Sequence, residues 1–242
     1  MQNPNKTPTL KARIGYSKTG LMQWVGHLDL MRFFQKAIRR ADLPIAYSNG
    51  FHPHQLLSFA LPLGIGTTSE QEYMDVEFLE KLPEEEVVTR LNKEMPEGME
   101  VLSCHYLPGD AKKAMSIVAA ARYALFFKDS TSPKVQSVSD EEWEAAIRRF
   151  YSEAPEIRVT KKTKKGEREL DLKPLIYEFS HDNTGFVLLL SAGSVDNIKP
   201  ALVFSHFMKD CGFEESVYAV GVRRMALYAK DDRKKLINLG AY

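Results

Sequence analysis

The chain has 242 residues, 44% of them hydrophobic, and a formal net charge of +1 from 33 Lys and Arg against 32 Asp and Glu. That apolar content suffices for one large domain or two of about 120 residues, and it excludes a wholly disordered chain. Near neutrality argues against general polyanion binding, and the two lone cysteines, Cys104 and Cys211, give no basis for a disulfide framework or a CxxC metal site. No apolar run approaches the roughly 20 residues that cross a bilayer. The polar start, MQNPNKTPTLK, lacks the apolar stretch of a secretory signal, so the expected location is cytoplasmic.

In chain order, residues 11–16 read as a strand that Ser17-Lys18-Thr19-Gly20 breaks. From 27 to 41 the apolar positions Leu30, Phe33, Phe34, Ala37, Ile38 and Ala41 recur at helical spacing, with Arg32, Lys36, Arg39 and Arg40 around the other face, and Pro44 stops the helix. Residues 45–48 and 71–78 read as strands, 83–95 as a helix with acids in its first turn, and 100–106 as a closing strand. After a linker at 108–115 come a strand at 122–128, a helix at 140–151 capped by Ser139 or Asp140, and a hairpin at 157–172 folded at Lys165-Gly166. A strand at 185–190, a helix at 200–211 closed by Gly212, and a long strand at 217–230 complete the chain. The pattern predicts an α+β protein of two tandem ferredoxin-like βαββαβ sandwiches with antiparallel sheets, one in residues 1–110 and one in 111–242.

Charge is distributed unevenly along these elements. Residues 11–69 carry seven Lys or Arg and three His against Asp29 and Asp42, whereas 70–110 carry twelve acids against Lys81, Arg90 and Lys93. Arg158, Lys161, Lys162, Lys164, Lys165 and Arg168 form a second basic cluster on the hairpin. Two such patches on a neutral chain suit a localised anionic partner, and the alternative is two solvated faces.

The densest chemistry lies in LPIAYSNGFHPHQLLSFALPLG, residues 43–64. Asn49-Gly50 is a turn dipeptide, and Pro44, Pro53 and Pro62 stiffen the backbone around Tyr47, Phe51, His52, His54 and Phe59. A stiff loop carrying such side chains is a candidate binding surface. Core packing is the competing role for Phe51, Phe59 and Leu61. His52-Pro53-His54 supplies two imidazoles but no defined third ligand among His27, Asp29 and His105, so no metal site is assigned.

KARIGYSKTG, HLDLMRFFQKAIRRADLPIAYSNGFHPHQLLSFALPLGIGTTSEQEYMDVEF and KKGERELDLKPLI together resemble the radical SAM-linked protein family, a bacterial domain of unknown function. The likeness runs from about Lys11 into the second half, and its longest motifs, HLDLMR and YSNGFHPHQLLSFA, are specific. In that family the domain occurs alone or appended to a radical SAM enzyme, often encoded beside ribosomal-protein and ribonuclease genes. Gly26 stands where members commonly carry Ser, and the three-cysteine cluster of the radical generator is absent. The resemblance implies a non-catalytic, cofactor-free accessory that presents a substrate, an RNA or a ribosomal component, to a radical SAM enzyme in trans. Neither DNA nor a membrane is an expected partner.

On that reading Tyr47, Phe51 and Phe59 stack on bases, while Lys18, Arg39, Arg40, His52 and His54 meet phosphates or base edges. Lys161, Lys162, Lys164 and Lys165 form a second phosphate contact. Two alternatives stand beside it. The doubled layout resembles, in element order, the CRISPR repeat-processing endoribonucleases, with His27 near the first strand-to-helix connection as the acid–base group of a metal-independent endoribonuclease. The glycine-rich loop expected near the C-terminus is lacking, Gly221 standing alone, and capping of local backbone is the structural role for His27. A pure protein–protein adaptor is the third reading.

Overall fold

The computed structural model describes residues 9–163, 166–182, 184–194, 196–214 and 219–242, with side chains described outside 161–168. The chain divides into two compact units. The first takes Met1–Val118 together with Ala226–Tyr242, and the second takes Ala119–Met225, so the last long strand belongs to both.

In the first unit, β1 (Leu10–Lys18) leads into α1 (His27–Arg40), a short β2 (Leu57–Phe59) and the long β3 (Thr67–Phe78). Then follow α2 (Glu84–Asn92), β4 (Met99–Tyr106) and the single turn α3 (Ala114–Ile117). β1 pairs antiparallel with both β3 and β4, placing Ile14 opposite Met74 on one side and Cys104 on the other. β2 pairs antiparallel with β3. The strand expected at 45–48 is reduced to two isolated bridges, Ile45 to Phe78 and Tyr47 to Gln55, and regular pairing begins only at Leu57. Pro44 and Pro53 donate no backbone hydrogen bond, which confines the ladder to the segment beyond them.

Local sequence explains the helix ends. Asp29 in the first turn of α1 and Arg39 and Arg40 in its last complement the helix dipole. Asp42 takes the left-handed conformation at φ 50°, and Leu43 donates back to the Ile38 carbonyl at 3.2 Å, closing α1 with a side chain where glycine is usual. The alternate β1 residues Ala12, Ile14 and Tyr16 pack with Leu30, Phe34 and Ile38 of α1 in a buried core. β4 ends the strand order β4-β1-β3, and its free edge is covered: Asn92 of α2 exchanges two 2.8 Å hydrogen bonds with the Val101 backbone, and the Tyr106 N–H donates to Glu84.

The opposite side of β1 carries a buried ion pair. The Arg13 Nε donates to Asp75 at 2.9 Å, directly across the β1–β3 ladder. Arg13 also donates to the carbonyls of Leu239 and Lys112, and Asp75 accepts the Ala114 N–H at 2.6 Å. Tyr73, two residue pairs along, donates to Asn238 at 3.1 Å; burial pushes its hydroxyl up to about 12, against the pull of Arg13.

In the second unit, β5 (Val118–Phe127) is followed by the turn α4 (Pro133–Gln136) and α5 (Asp140–Ile147), which widens into a π-type turn at Arg148–Glu153. Ser139 is the N-cap of α5, in a capping box with Glu142. β6 (Arg158–Thr163) and β7 (Gly166–Asp171) pair only with each other, Arg158 opposite Asp171, so the predicted hairpin stands off the main ladder. β8 (Ile176–Asp182) and β9 (Gly185–Ser191) precede α6 (Pro200–Asp210) and β10 (Val220–Lys230), with β11 (Leu236–Asn238) pairing back on β10. The strand order here is β10-β5-β9-β8. Sequence reading omits β8, whose segment IYEFSHD has polar residues at four of seven positions. Its Phe179 nevertheless meets Phe207 edge to face at 4.9 Å, in an aromatic core with Trp143 and Phe186.

Removing one partner of a buried pair leaves the other charge uncompensated. Arg13→Ala is therefore expected to lower unfolding stability in denaturant by about 3–5 kcal/mol, and Arg13→Met with Asp75→Leu to recover most of that loss.

Candidate nucleic-acid interface

The predicted loop is anchored at its base and open at its tip. The Ser48 N–H donates to the His54 carbonyl at 2.8 Å, and the Ser48 hydroxyl meets both the His54 N–H, at 3.0 Å, and the His54 Nδ1, at 2.8 Å. Gln55, buried at the next position, donates to the Gln35 carbonyl of α1 at 3.1 Å. The Ser48–His54 bonds close the base of the loop, and Gln55 ties it to the helix. At the tip Gly50 has φ 116°, and Phe51 beside it is fully exposed. His52, Pro53 and His54 are exposed as well, and Tyr47 is half exposed. His54 and Gln55 also line a cavity of about 110 Å³ together with Lys11, Lys113, Asp75 and Glu77.

Helical spacing places Arg32, Gln35 and Arg39 on one face of α1, with Lys36 beside them. Arg32, Lys36 and Arg39 are exposed, so a cationic face adjoins the point where the loop is tied to Gln35. Arg40 is engaged with Glu94 at 2.5 Å. Tyr47, Phe51, His52 and His54 thus share one loop whose Gln55 is bonded to α1 four residues before Arg39, while Arg40 joins α1 to Glu94, just past the end of α2.

Four predicted groups sit elsewhere. Lys18 is 1% exposed and donates to the carbonyls of Val25, at 2.9 Å, and Gln23, at 3.4 Å, which fixes the segment entering α1. Phe59 is core, 5.3 Å edge to face from the His27 ring and packed against Tyr16 and Phe34. Lys161 and Lys162 lie on β6, and Lys164 and Lys165 fall outside the described residues. His27 opens α1, and among the described residues its side chain is joined to no carboxylate.

Metal and thiol chemistry find little purchase. Among the described residues no three of His, Cys, Asp and Glu come together as a metal site. Burial pushes the Cys104 thiol up to about 12, with Glu84 adding to it, and the Cys211 thiol up to about 11. Both are protonated, weak nucleophiles at neutral pH. Among the described residues no helix is long and apolar enough to cross a membrane.

What sequence reading did not mark is an apolar cluster where α1 begins. Leu21 is 83% exposed, Trp24 56%, Leu28 61% and Ile65 67%. Trp24 and Ile65 are brought close through the backbone: the Gly66 N–H donates to the Gln23 carbonyl at 2.9 Å, a Cβ on Gly66 would stand 3.3 Å from the Trp24 ring, and one on Gly26 would stand 3.7 Å from Ile65. The signal available in the sequence was LMQW, whose apolar residues precede the helix instead of lying on its buried stripe.

Residues 11–200 match a family described as "Uncharacterized protein conserved in bacteria (DUF2344)", and the chain belongs to that family. No curated protein matches it. Among solved structures it is similar to an unknown protein from Galdieria sulphuraria, with 10% identity and a TM-score of 0.29 over 90% of this chain and 98% of the other.

Two outcomes follow from this geometry. Lys18→Met is expected to speed amide hydrogen exchange across residues 20–26 while the β1 and β3 amides stay protected, because it removes two bonds to that segment's carbonyls. Because a thiol pushed up by burial stays protonated, alkylation of Cys104 at pH 8 is expected to be far slower in native protein than in denatured protein.

Proposed function

We propose that this chain is a non-catalytic, RNA-binding accessory that presents an RNA or ribonucleoprotein substrate to a radical SAM enzyme. The observation that carries the reading is Phe51, a fully exposed aromatic on a braced loop beside the cationic face of α1. An aromatic ring held out beside fixed cations is how proteins without base-specific readout hold single-stranded nucleic acid, the ring stacking on a base and the cations following the phosphates. The basic β6–β7 hairpin supplies a further set of cations. The link to a radical SAM enzyme rests on the motif resemblance, and the strand orders of the two units support reading both as ferredoxin-like sandwiches, a fold that carries many functions.

Cytoplasmic location accords with an RNA partner. The endoribonuclease alternative is less well supported, because the His27 ring meets Phe59 edge to face and, among the described residues, is joined to no carboxylate.

Retention of total cellular RNA by the purified chain across a salt series tests the proposal. Log affinity is expected to fall linearly with log salt. Arg39→Ala should reduce the slope by about one phosphate contact, and Phe51→Ala should weaken binding roughly tenfold with the slope unchanged. Salt-independent retention, or full affinity in Phe51→Ala, would sink the reading.

A further inference from the structure

Side chains of α2 close the outer edge of β4 at two places and leave the rung between them open. Glu84, Val88 and Asn92 stand four residues apart and so share one face of α2. Asn92 bonds the Val101 N–H and carbonyl, and Glu84 accepts the Tyr106 N–H. Val88, midway between them, has no side-chain group that can form such a bond. Along β4 the Leu107 N–H donates to the Lys11 carbonyl of β1, whereas the Tyr106 N–H points away from β1. Strand alternation then turns the Cys104 N–H and carbonyl outward too, and among the described residues nothing bonds either group.

Cys104 lines a groove of about 550 Å³ whose other walls include Glu84, Glu85 and Val88 of α2 and Leu102 of β4. A bulge shapes it: Ser103 lies opposite Gly15 and Val101 opposite Tyr16, so Leu102 is the extra residue and is left 43% exposed. The charge of the groove is negative. Glu85 is exposed and has no ion-pair partner among the described residues, while Glu84 meets His105 at 3.2 Å. Among the described residues no lysine or arginine lines the groove: Lys81 lies over the Tyr106 ring at 5.2 Å, and Arg90 is bonded to Glu86.

We propose that this groove takes an extended basic segment of another protein, one residue of which pairs through its own N–H and carbonyl with Cys104 while its lysine or arginine side chains meet Glu84 and Glu85. A donor and an acceptor side by side on a strand edge match one residue of an extended chain, and the Asn92 amide already makes that match at Val101. Val88 and Leu102 offer apolar contact to a side chain lying between the cations. The carboxylates disfavour nucleic acid. Edge-to-edge pairing of β4 with a second copy is disfavoured as well, because α2 lies along that edge in each copy and Glu84 and Glu85 would meet their own counterparts. The groove uses no residue of the RNA reading and does not depend on it.

The test titrates the isotope-labelled full-length chain with an end-capped heptapeptide of alternating lysine and valine, with its backbone-N-methylated form, and with a glutamate–valine counterpart. The lysine peptide is expected to shift the Cys104 amide resonance and slow its hydrogen exchange, with affinity falling as salt rises. Backbone N-methylation and Glu85→Lys should each weaken binding roughly tenfold, the latter with thermal unfolding unchanged. Val88→Asn, whose amide can fill the open rung as Asn92 does at Val101, should weaken it by a similar factor. Equal binding of the glutamate or the N-methylated peptide, or an unmoved Cys104 resonance, would overturn the inference. So would self-association of the chain alone that Val88→Asn abolishes, since a second copy would then be the occupant. Phe51→Ala, which tests the RNA reading, should leave peptide binding unchanged, so failure of one is distinguishable from failure of the other.

Discussion

The first unit depends on one buried ion pair. Arg13 and Asp75 face each other across the β1–β3 ladder, and an arginine fork and a carboxylate have more hydrogen-bonding positions than one pair of strands can fill. The surplus is taken by the Leu239 and Lys112 carbonyls and the Ala114 N–H. Pieces of chain separated by up to 226 residues are thereby tied to a single register. The pair also explains why β1 is buried on both faces: Ala12, Ile14 and Tyr16 meet the helices, and the alternate face is closed by the chain's last residues.

With the sheet fixed in this way, α1 becomes a rigid mount. Its buried stripe of Leu30, Phe34 and Ile38 is committed to the core, so what it offers outward is set by the remaining positions. At one end these are apolar and continue into a turn bolted down by Lys18. Further along they are cationic, and Gln55 ties the aromatic loop to them. A buried lysine and a fully exposed phenylalanine are each unfavourable in isolation, and both are found where they shape a surface. Local rules broken within an otherwise consistent fold concentrate at functional positions.

Much of this was legible. The helical period of residues 27–41, the breaking prolines and glycines and the N-cap at Ser139 or Asp140 located most helices and strands within a few residues, because those signals are local. The turn character of Asn49-Gly50 and the display of Phe51, His52 and His54 were likewise readable, since glycine and proline act on their own backbone. Lys18 was not. A lysine in sequence reads as a surface cation, and only the carbonyls of Gln23 and Val25 curling over it make it an internal anchor. β8 was missed because much of its burial comes from aromatic residues of α5 and α6, both distant from it in sequence.

The sequence by itself determined where helices begin and end, which loop is stiff, where charge accumulates and which family the chain belongs to, since each of these is decided by a residue and its immediate neighbours. Tertiary structure alone decided which charged groups are buried, that the final strand serves both units, and that Leu21, Trp24, Leu28 and Ile65 are left exposed. Burial and adjacency depend on pairings between residues tens to hundreds of positions apart, and no local pattern of side chains encodes those distances.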